Sequence, residues 1–248
     1  MNAPSKPLVV IPTYNERDNI VRLIPTILEV DSRIHILVVD DGSPDDTAAG
    51  VLEAKQKYAI ARVFLESRPA KLGLGSAYVH GFQWGLAGQY DFLIQMDADW
   101  SHHPHHLESM LRLAQGADFV IGSRYVRGGG VLHWGVGRRL LSSFGCWYSR
   151  LVLGADFSDF TGGFNGWSDR VLRRISLDTL RSDGYSFQIE LKYRAHLLGC
   201  RHIEFPIRFD ERRAGRSKMS AAIAFEAGWR VLQFRFQREI LRRGVAVD

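Results

Sequence analysis

The run DFLIQMDADWSHHPHH, residues 91–106, carries an apolar stretch into two aspartates spaced i, i+2, and four histidines follow around a proline. Residues i and i+2 of an extended segment point to one face, so Asp97 and Asp99 can aim both carboxylates at the same point. Two like charges that close repel unless a cation sits between them. A hard divalent ion, Mg²⁺ or Mn²⁺, held by one or two carboxylates and completed by water and substrate phosphates, suits that pair. The diphosphate of a nucleotide is the matching substrate group. The histidines could suggest zinc, but Pro104 interrupts their spacing and no cysteine is near. His102, His103, His105 and His106 form no helical His-x₃-His pair of the zinc-hydrolase kind. They read as a polar loop and helix start, with Pro104 near the first helical turn.

The elements that must position these groups are legible as alternation. PLVVIP, IHILVVDD, ARVFL, DFLIQMD, ADFVIGS and HIEFPIRF are short β-rich runs, and helical patterns cover residues 15–29, 45–58, 75–87 and 104–115. Such alternation predicts βαβ units and a mostly parallel sheet, with ligands at the carboxyl ends of its strands. Those ends carry Thr13-Tyr14-Asn15-Glu16, Asp40-Asp41-Gly42-Ser43 and Asp97-Ala98-Asp99. Each cluster alone also reads as a turn or helix cap; three in one sheet predict an acidic edge. KLGLGSAY holds a partial G-x-G in which Tyr78 replaces the third glycine, and the first strand ends in IPTYNE without glycine. An incomplete fingerprint of this kind argues against a dinucleotide-binding enzyme.

With 248 residues, 46% of them hydrophobic, the chain can bury one large α/β core. Its formal charge is +5, and the basic excess concentrates in residues 201–248, which favours phosphates or an anionic membrane surface as partners. A nucleic-acid-binding module is the remote alternative; the acidic strand ends oppose it, and no nucleic-acid partner is expected. Cys146 and Cys200 form no pairable framework, as in a reducing compartment. The start of the chain shows no secretory signal, and no 18-residue apolar run spans a membrane.

VVIPTYNERDNI, ILVVDDGSPDDT, LGLGSAYVHGF, MDADWSHHP, IGSRY, TGGFNGW and GYSFQIELKYRAHLLGC, followed by RRAGRSKMS, resemble the polyprenyl-phosphate (dolichol-phosphate) mannosyltransferases of the inverting family 2 glycosyltransferases. The likeness runs from about residue 8 to residue 220 with the motifs in family order. It implies a GT-A catalytic domain over residues 1–219 that transfers mannose from GDP-mannose to a polyprenyl or dolichyl monophosphate. By the same resemblance Pro12, Tyr14, Glu16 and one of Asp40 or Asp41 hold the nucleoside. Asp97, Ala98 and Asp99 bind the metal and diphosphate, Arg124 and Arg138 hold the acceptor phosphate, and Arg212 and Lys218 close a loop over the site. Some members ligate the metal through a glutamine two positions beyond the second aspartate; Ser101 stands there in this chain, which leaves the third ligand open. FNGW in place of an aromatic-arginine sequence leaves the role of residues 164–167 open as well.

The chemistry is coherent without the family. A hydroxyl acceptor would call for a general base, whereas a phosphate monoester, with a second pKa of about 6, is already a nucleophile at pH 7. A glycosyltransferase using a UDP sugar remains the alternative enzyme reading. Contact with a lipid could come from two stripes. Leu140, Phe144, Trp147 and Leu151 share one helix face over residues 138–154. Phe225, Trp229, Leu232, Phe236 and Ile240 share another within residues 220–248, with arginines opposite. A basic amphipathic helix can lie in a membrane interface, and each stripe can equally pack on the sheet. The expected setting is peripheral, on the cytoplasmic face of a membrane, with or without a separate membrane-anchor subunit.

Overall fold

The computed structural model describes residues 3–58, 61–180, 182–210 and 221–243, apart from the side chains of 221–225. Chain order runs β1 (Pro7–Thr13), α1 (Arg17–Val30), β2 (His35–Asp40), α2 (Thr47–Tyr58), β3 (Val63–Ser67), α3 (Leu74–Ala87), β4 (Phe92–Gln95), α4 (His106–Leu113) and β5 (Phe119–Ser123). It continues through β6 (Gly130–Val131), α5 (Val136–Leu153), β7 (Asn165–Ser168), α6 (Asp169–Arg174), α7 (Gly184–Leu197), β8 (His202–Pro206), β9 (Arg208–Phe209), α8 (Ala221–Phe236) and α9 (Arg238–Arg242).

Seven strands form one sheet in the order β3-β2-β1-β4-β7-β5-β8. Only β7 runs antiparallel to its neighbours. The central strands are apolar on both faces because both are covered. Val10, Leu37 and Leu93 join the core beneath α3 and α7, while Val9, Ile36 and Ile94 join the core beneath α1 and α4. Each such side chain contributes about 1.5–3 kcal/mol by leaving water.

Two strands differ from the sequence reading. HIEFPIRF is not one strand: Pro206 has no N–H to donate, and the ladder breaks into β8 and the two-residue β9, which pairs with β6. β7, NGWS, has no β-branched residue to announce it, yet it fills the gap between β4 and β5 and is wholly buried. Its Gly166 is required there, since a Cβ would lie 2.5 Å from the Phe92 ring.

Helix α5 is built inside out. Ser142, Cys146, Ser149 and Leu153 face the protein, while Leu140, Phe144, Trp147 and Leu151 are each more than half exposed. It ends, as its sequence predicts, with Gly154 in the left-handed region at φ 67°. α8 and α9 present two apolar faces. Val231, Phe234 and Leu241 are buried in the core, and Trp229, Phe236 and Ile240 are exposed. No helix among the described residues is long and apolar enough to cross a membrane.

Candidate active site

β4 stops at Gln95, so Asp97 and Asp99 lie past the strand, where the chain enters a bend over residues 98–102 in which Trp100 has φ 66°. The bend, and not the strand pleat, sets their direction. The Asp97 N–H donates to His102 Nδ1 at 3.3 Å, and the Tyr78 hydroxyl of α3 donates to Asp97 Oδ1 at 3.3 Å. Asp99 is buried, and its Oδ1 accepts the Ser101 N–H at 3.1 Å. His102 is not part of a solvated polar loop. It is buried, stacked on Phe164 at 5.2 Å and edge-on to Phe209, and burial holds its imidazole neutral. His106 is buried too, and desolvation pushes its pKa down to about 4.

The donor set fits a hard cation. Among the described residues no group of three His, Cys, Asp or Glu converges, so two carboxylates are what these residues offer, with water and phosphate oxygens to complete the coordination. Ser101 Oγ, buried and without a partner among the described residues, is a further oxygen beside them. Ala98 lies buried between the two aspartates.

Toward β2 and β3 the strand ends are tied to each other. Asp40 accepts from the Thr13 hydroxyl at 2.9 Å and from the Ser43 N–H and hydroxyl, and so builds the turn. Asp41 instead faces Arg68, whose Nε donates to it at 2.6 Å, and also accepts the Leu72 N–H. Tyr14 is more than a third exposed, with the Lys71 ammonium 4.1 Å from its ring centre. Pro12 is half-buried in β1 beside them, and Glu16 precedes α1, its carboxylate accepting from Asn19 at 2.7 Å. The glycines of KLGLGSAY serve packing rather than a phosphate. The Asp183 carboxylate occupies the N-terminus of α3, accepting the Gly75 N–H at 2.6 Å, and a Cβ on Gly73 would meet that carboxylate at 2.7 Å.

On the other side, Arg124 leaves β5 buried and bidentate on Asp159, at 2.7 Å for both Nε and Nη2, with Nη2 also donating to Thr161 Oγ1 at 2.8 Å. Burial alone would raise the Asp159 carboxyl, but the Arg124 guanidinium holds it well below the usual carboxylate range. Burial likewise opposes the guanidinium charge, and Asp159 outweighs it, raising the Arg124 pKa. The segment 159–163 is clamped from below by Lys192 of α7, which is fully buried and donates to the carbonyls of Asp159, Phe160 and Gly162. Arg138 meets Arg124 at one indole: their guanidinium carbons lie 4.0 and 5.6 Å from the Trp134 ring centre. Beside Thr161 opens an apolar cavity of about 470 Å³ between α5, α7 and α8, lined by Leu141, Phe144, Tyr148, Ile189, Trp229 and Leu232.

The sheet order lines these groups up on one edge: Arg68 after β3, Asp41 after β2, Tyr14 after β1, Asp97 and Asp99 after β4, Gly163 before β7, and Arg124 after β5. Arg212 and Lys218 lie outside the described residues; Asp210, two residues before Arg212, donates its N–H to the Ser101 carbonyl at 3.3 Å. Sequence reasoning missed Arg68, Tyr78, Asp159, Thr161 and Lys192. KLGLGSAY, TGGFNGW and GYSFQIELKYRAHLLGC, the motifs that contain Tyr78, Thr161 and Lys192, were the available signal.

Residues 8–179 match glycosyl transferase family 2. The polyprenol monophosphomannose synthase of Mycolicibacterium smegmatis is 44% identical over 243 residues, 96% of this chain and 90% of its own. The undecaprenyl-phosphate mannosyltransferase of Micrococcus luteus is 41% identical over 220 residues, 89% of this chain and 90% of its own. A mannosyltransferase from Pyrobaculum calidifontis, solved with GDP-Man and Mn²⁺, is 18% identical and superposes with a TM-score of 0.60 over 97% of this chain and 65% of its own, sharing the GT-A fold. On this evidence of sequence and fold together, the chain belongs to glycosyl transferase family 2.

Proposed function

We propose that the protein transfers mannose from GDP-mannose to a polyprenyl monophosphate, with inversion, at a membrane surface. The observation that carries this reading is the apolar cavity that reaches Thr161, whose hydroxyl is bonded to Arg124. A phosphate seated near that arginine would leave its chain an apolar path between α5 and α8. The names of the two bacterial relatives support the acceptor and the sugar, and the archaeal neighbour's bound GDP-Man and Mn²⁺ support the donor and a divalent metal.

Each part then has a task. Arg68, Asp41, Tyr14, Pro12 and Glu16 bind the nucleoside end. Asp97 and Asp99 would hold Mg²⁺ or Mn²⁺, which would supply neutralisation of the departing diphosphate. Tyr78 and His102 fix the direction of Asp97 through the hydrogen bonds above. Arg138 offers a cation to the acceptor phosphate, and Arg124, with one N–H edge of its guanidinium on Asp159 and Thr161, shapes that end of the site. The phosphate oxygen attacks the anomeric carbon opposite the diphosphate, the glycosidic C–O bond breaks, and the configuration inverts. No side chain need take a proton. Placement of the two phosphates is the enzyme's contribution.

The test is a panel. Purified protein is incubated with radiolabelled GDP and UDP sugars and undecaprenyl phosphate, and label is counted in the extracted lipid. Label from GDP-mannose alone supports the proposal; label from a UDP sugar alone replaces the donor, and no lipid label with any sugar overturns it.

A further inference from the structure

The buried amides between β4, β7 and α7 have a fixed orientation, and it can be worked out one group at a time. Trp167 Nε1 can only donate, and it donates to Gln95 at 2.9 Å, so Gln95 presents its oxygen. Asn165 meets that same oxygen at 3.1 Å and the Gly162 carbonyl at 3.0 Å, so it must present its nitrogen. Gln188 of α7 turns its oxygen, not its nitrogen, to the same Asn165 nitrogen at 3.1 Å, so three acceptors share that nitrogen's two hydrogens. The Gln188 NH₂ is left pointing the other way. Gln188 is only 3% exposed; its oxygen accepts from Asn165, and its NH₂ is directed away from that bond.

What it points toward is the gap at Gly163. A Cβ built on that glycine would lie 3.6 Å from Gln188 Nε2 and 3.8 Å from both carboxylate oxygens of Asp97, with no nearer atom. The gap therefore adjoins the diphosphate end of the site on one side and, through Thr161 and Gly162, the acceptor end on the other. Neighbours of Gln188 on α7, Tyr185 and Ile189, line the apolar cavity. Unlike Gln95 Nε2 in the same cluster, the Gln188 Nε2 is not sealed from solvent, so an entering acceptor can reach it and form a hydrogen bond.

We propose that Gln188 binds the acceptor phosphate, its Nε2 donating to a non-bridging oxygen at the mouth of the cavity. This rests on the acceptor being a lipid phosphate, as proposed above. An amide suits that oxygen: it donates without accepting the proton that a hydroxyl acceptor would have to lose. Being neutral, it adds no charge beside Asp97.

Two variants test this. Gln188→Glu keeps the shape and the oxygen that accepts from Asn165 but removes the donor. Gln188→Met removes both, and Asn165 still has two acceptors for its two hydrogens. Full-length proteins are compared for melting temperature, for GDP-mannose affinity with Mn²⁺ by calorimetry, and for undecaprenyl phosphate KM. The expected result is an acceptor KM raised about tenfold or more in both variants, the loss of a hydrogen bond to a charged oxygen, with donor affinity unchanged in Gln188→Met, the variant that adds no charge beside Asp97. Wild-type kinetics in both variants, or a loss confined to donor affinity, would overturn the assignment while leaving the transfer activity standing. Absence of lipid label with the wild-type protein would instead remove the functional reading itself.

Discussion

Asp159 is the residue that holds Arg124 in place, because it takes a bidentate bond from that guanidinium and an N–H from Gly162 while buried. Asp159→Asn would leave a buried guanidinium uncompensated, a loss of about 3–5 kcal/mol, so thermal unfolding should show a strongly lowered melting temperature. Asp159 titrates below its unfolded range, so its contribution is complete above that range and disappears as pH falls through the folded value. Lys192 runs the other way: burial depresses its pKa to about 8, so the folded state binds fewer protons between pH 8 and the usual lysine range, and stability rises with pH there. The stability difference between wild type and Lys192→Met, followed by denaturant titration, should therefore grow from pH 8 to pH 10; a flat difference would mean that the folded amine keeps its proton up to the usual lysine range. Asp99→Ala should abolish transfer and metal-dependent nucleotide binding with little effect on the fold, and full activity in excess chelator would defeat the metal site. The aspartates were legible because their spacing is local chemistry. Gln188 and Lys192 were not, since their meaning comes from carbonyls and amides 23 to 33 residues away.

The alternation of strands and helices was legible because burial on both faces writes continuous apolar runs into β1, β2 and β4. β7 was not, since its four residues are held by the strands on either side and not by their own propensity. The stripe on α5 was legible as a stripe but not as an outer face. Periodicity gives the angle between residues and leaves open which side meets the protein; Cys146 against Thr161 and Asp159 decides it. Large apolar residues kept outside a helix whose inner face is small and polar suit a membrane interface. Replacing Phe144 and Trp147 together with serine removes two side chains, each worth about 1.5–3 kcal/mol when taken from water. Co-sedimentation with phospholipid vesicles should then weaken about a hundredfold or more. The melting temperature should hold, because both side chains are 57% exposed in the free protein. Unaltered vesicle binding would assign the face to something other than lipid.

For the molecule as a whole, on the function proposed above, the strand order would seat donor and acceptor side by side along one edge: the donor's nucleoside at β3, β2 and β1, its diphosphate at β4, the acceptor's phosphate at β5, and the lipid in the cavity beyond. That order could not be read from the chain, because β7, which lies between β4 and β5 in the sheet, comes after β5, β6 and α5 in sequence. The same arrangement puts the exposed faces of α5 and α8 at the lipid end, near Arg139, Arg235, Arg238, Arg242 and Arg243, which are all exposed. Two forces should then hold the protein to a bilayer, apolar insertion and attraction to anionic headgroups, the latter worth about 1 kcal/mol per arginine near the surface. They separate by salt. Binding to vesicles containing phosphatidylglycerol should fall as NaCl rises from about 0.05 to 0.5 M, since screening shortens the reach of the field below about 10 Å. Binding to neutral phosphatidylcholine vesicles should start weaker and hold nearly constant over the same range. Equal binding to both at low salt would show that the arginines do not face the bilayer, and that the apolar stripe alone seats the enzyme beside its lipid.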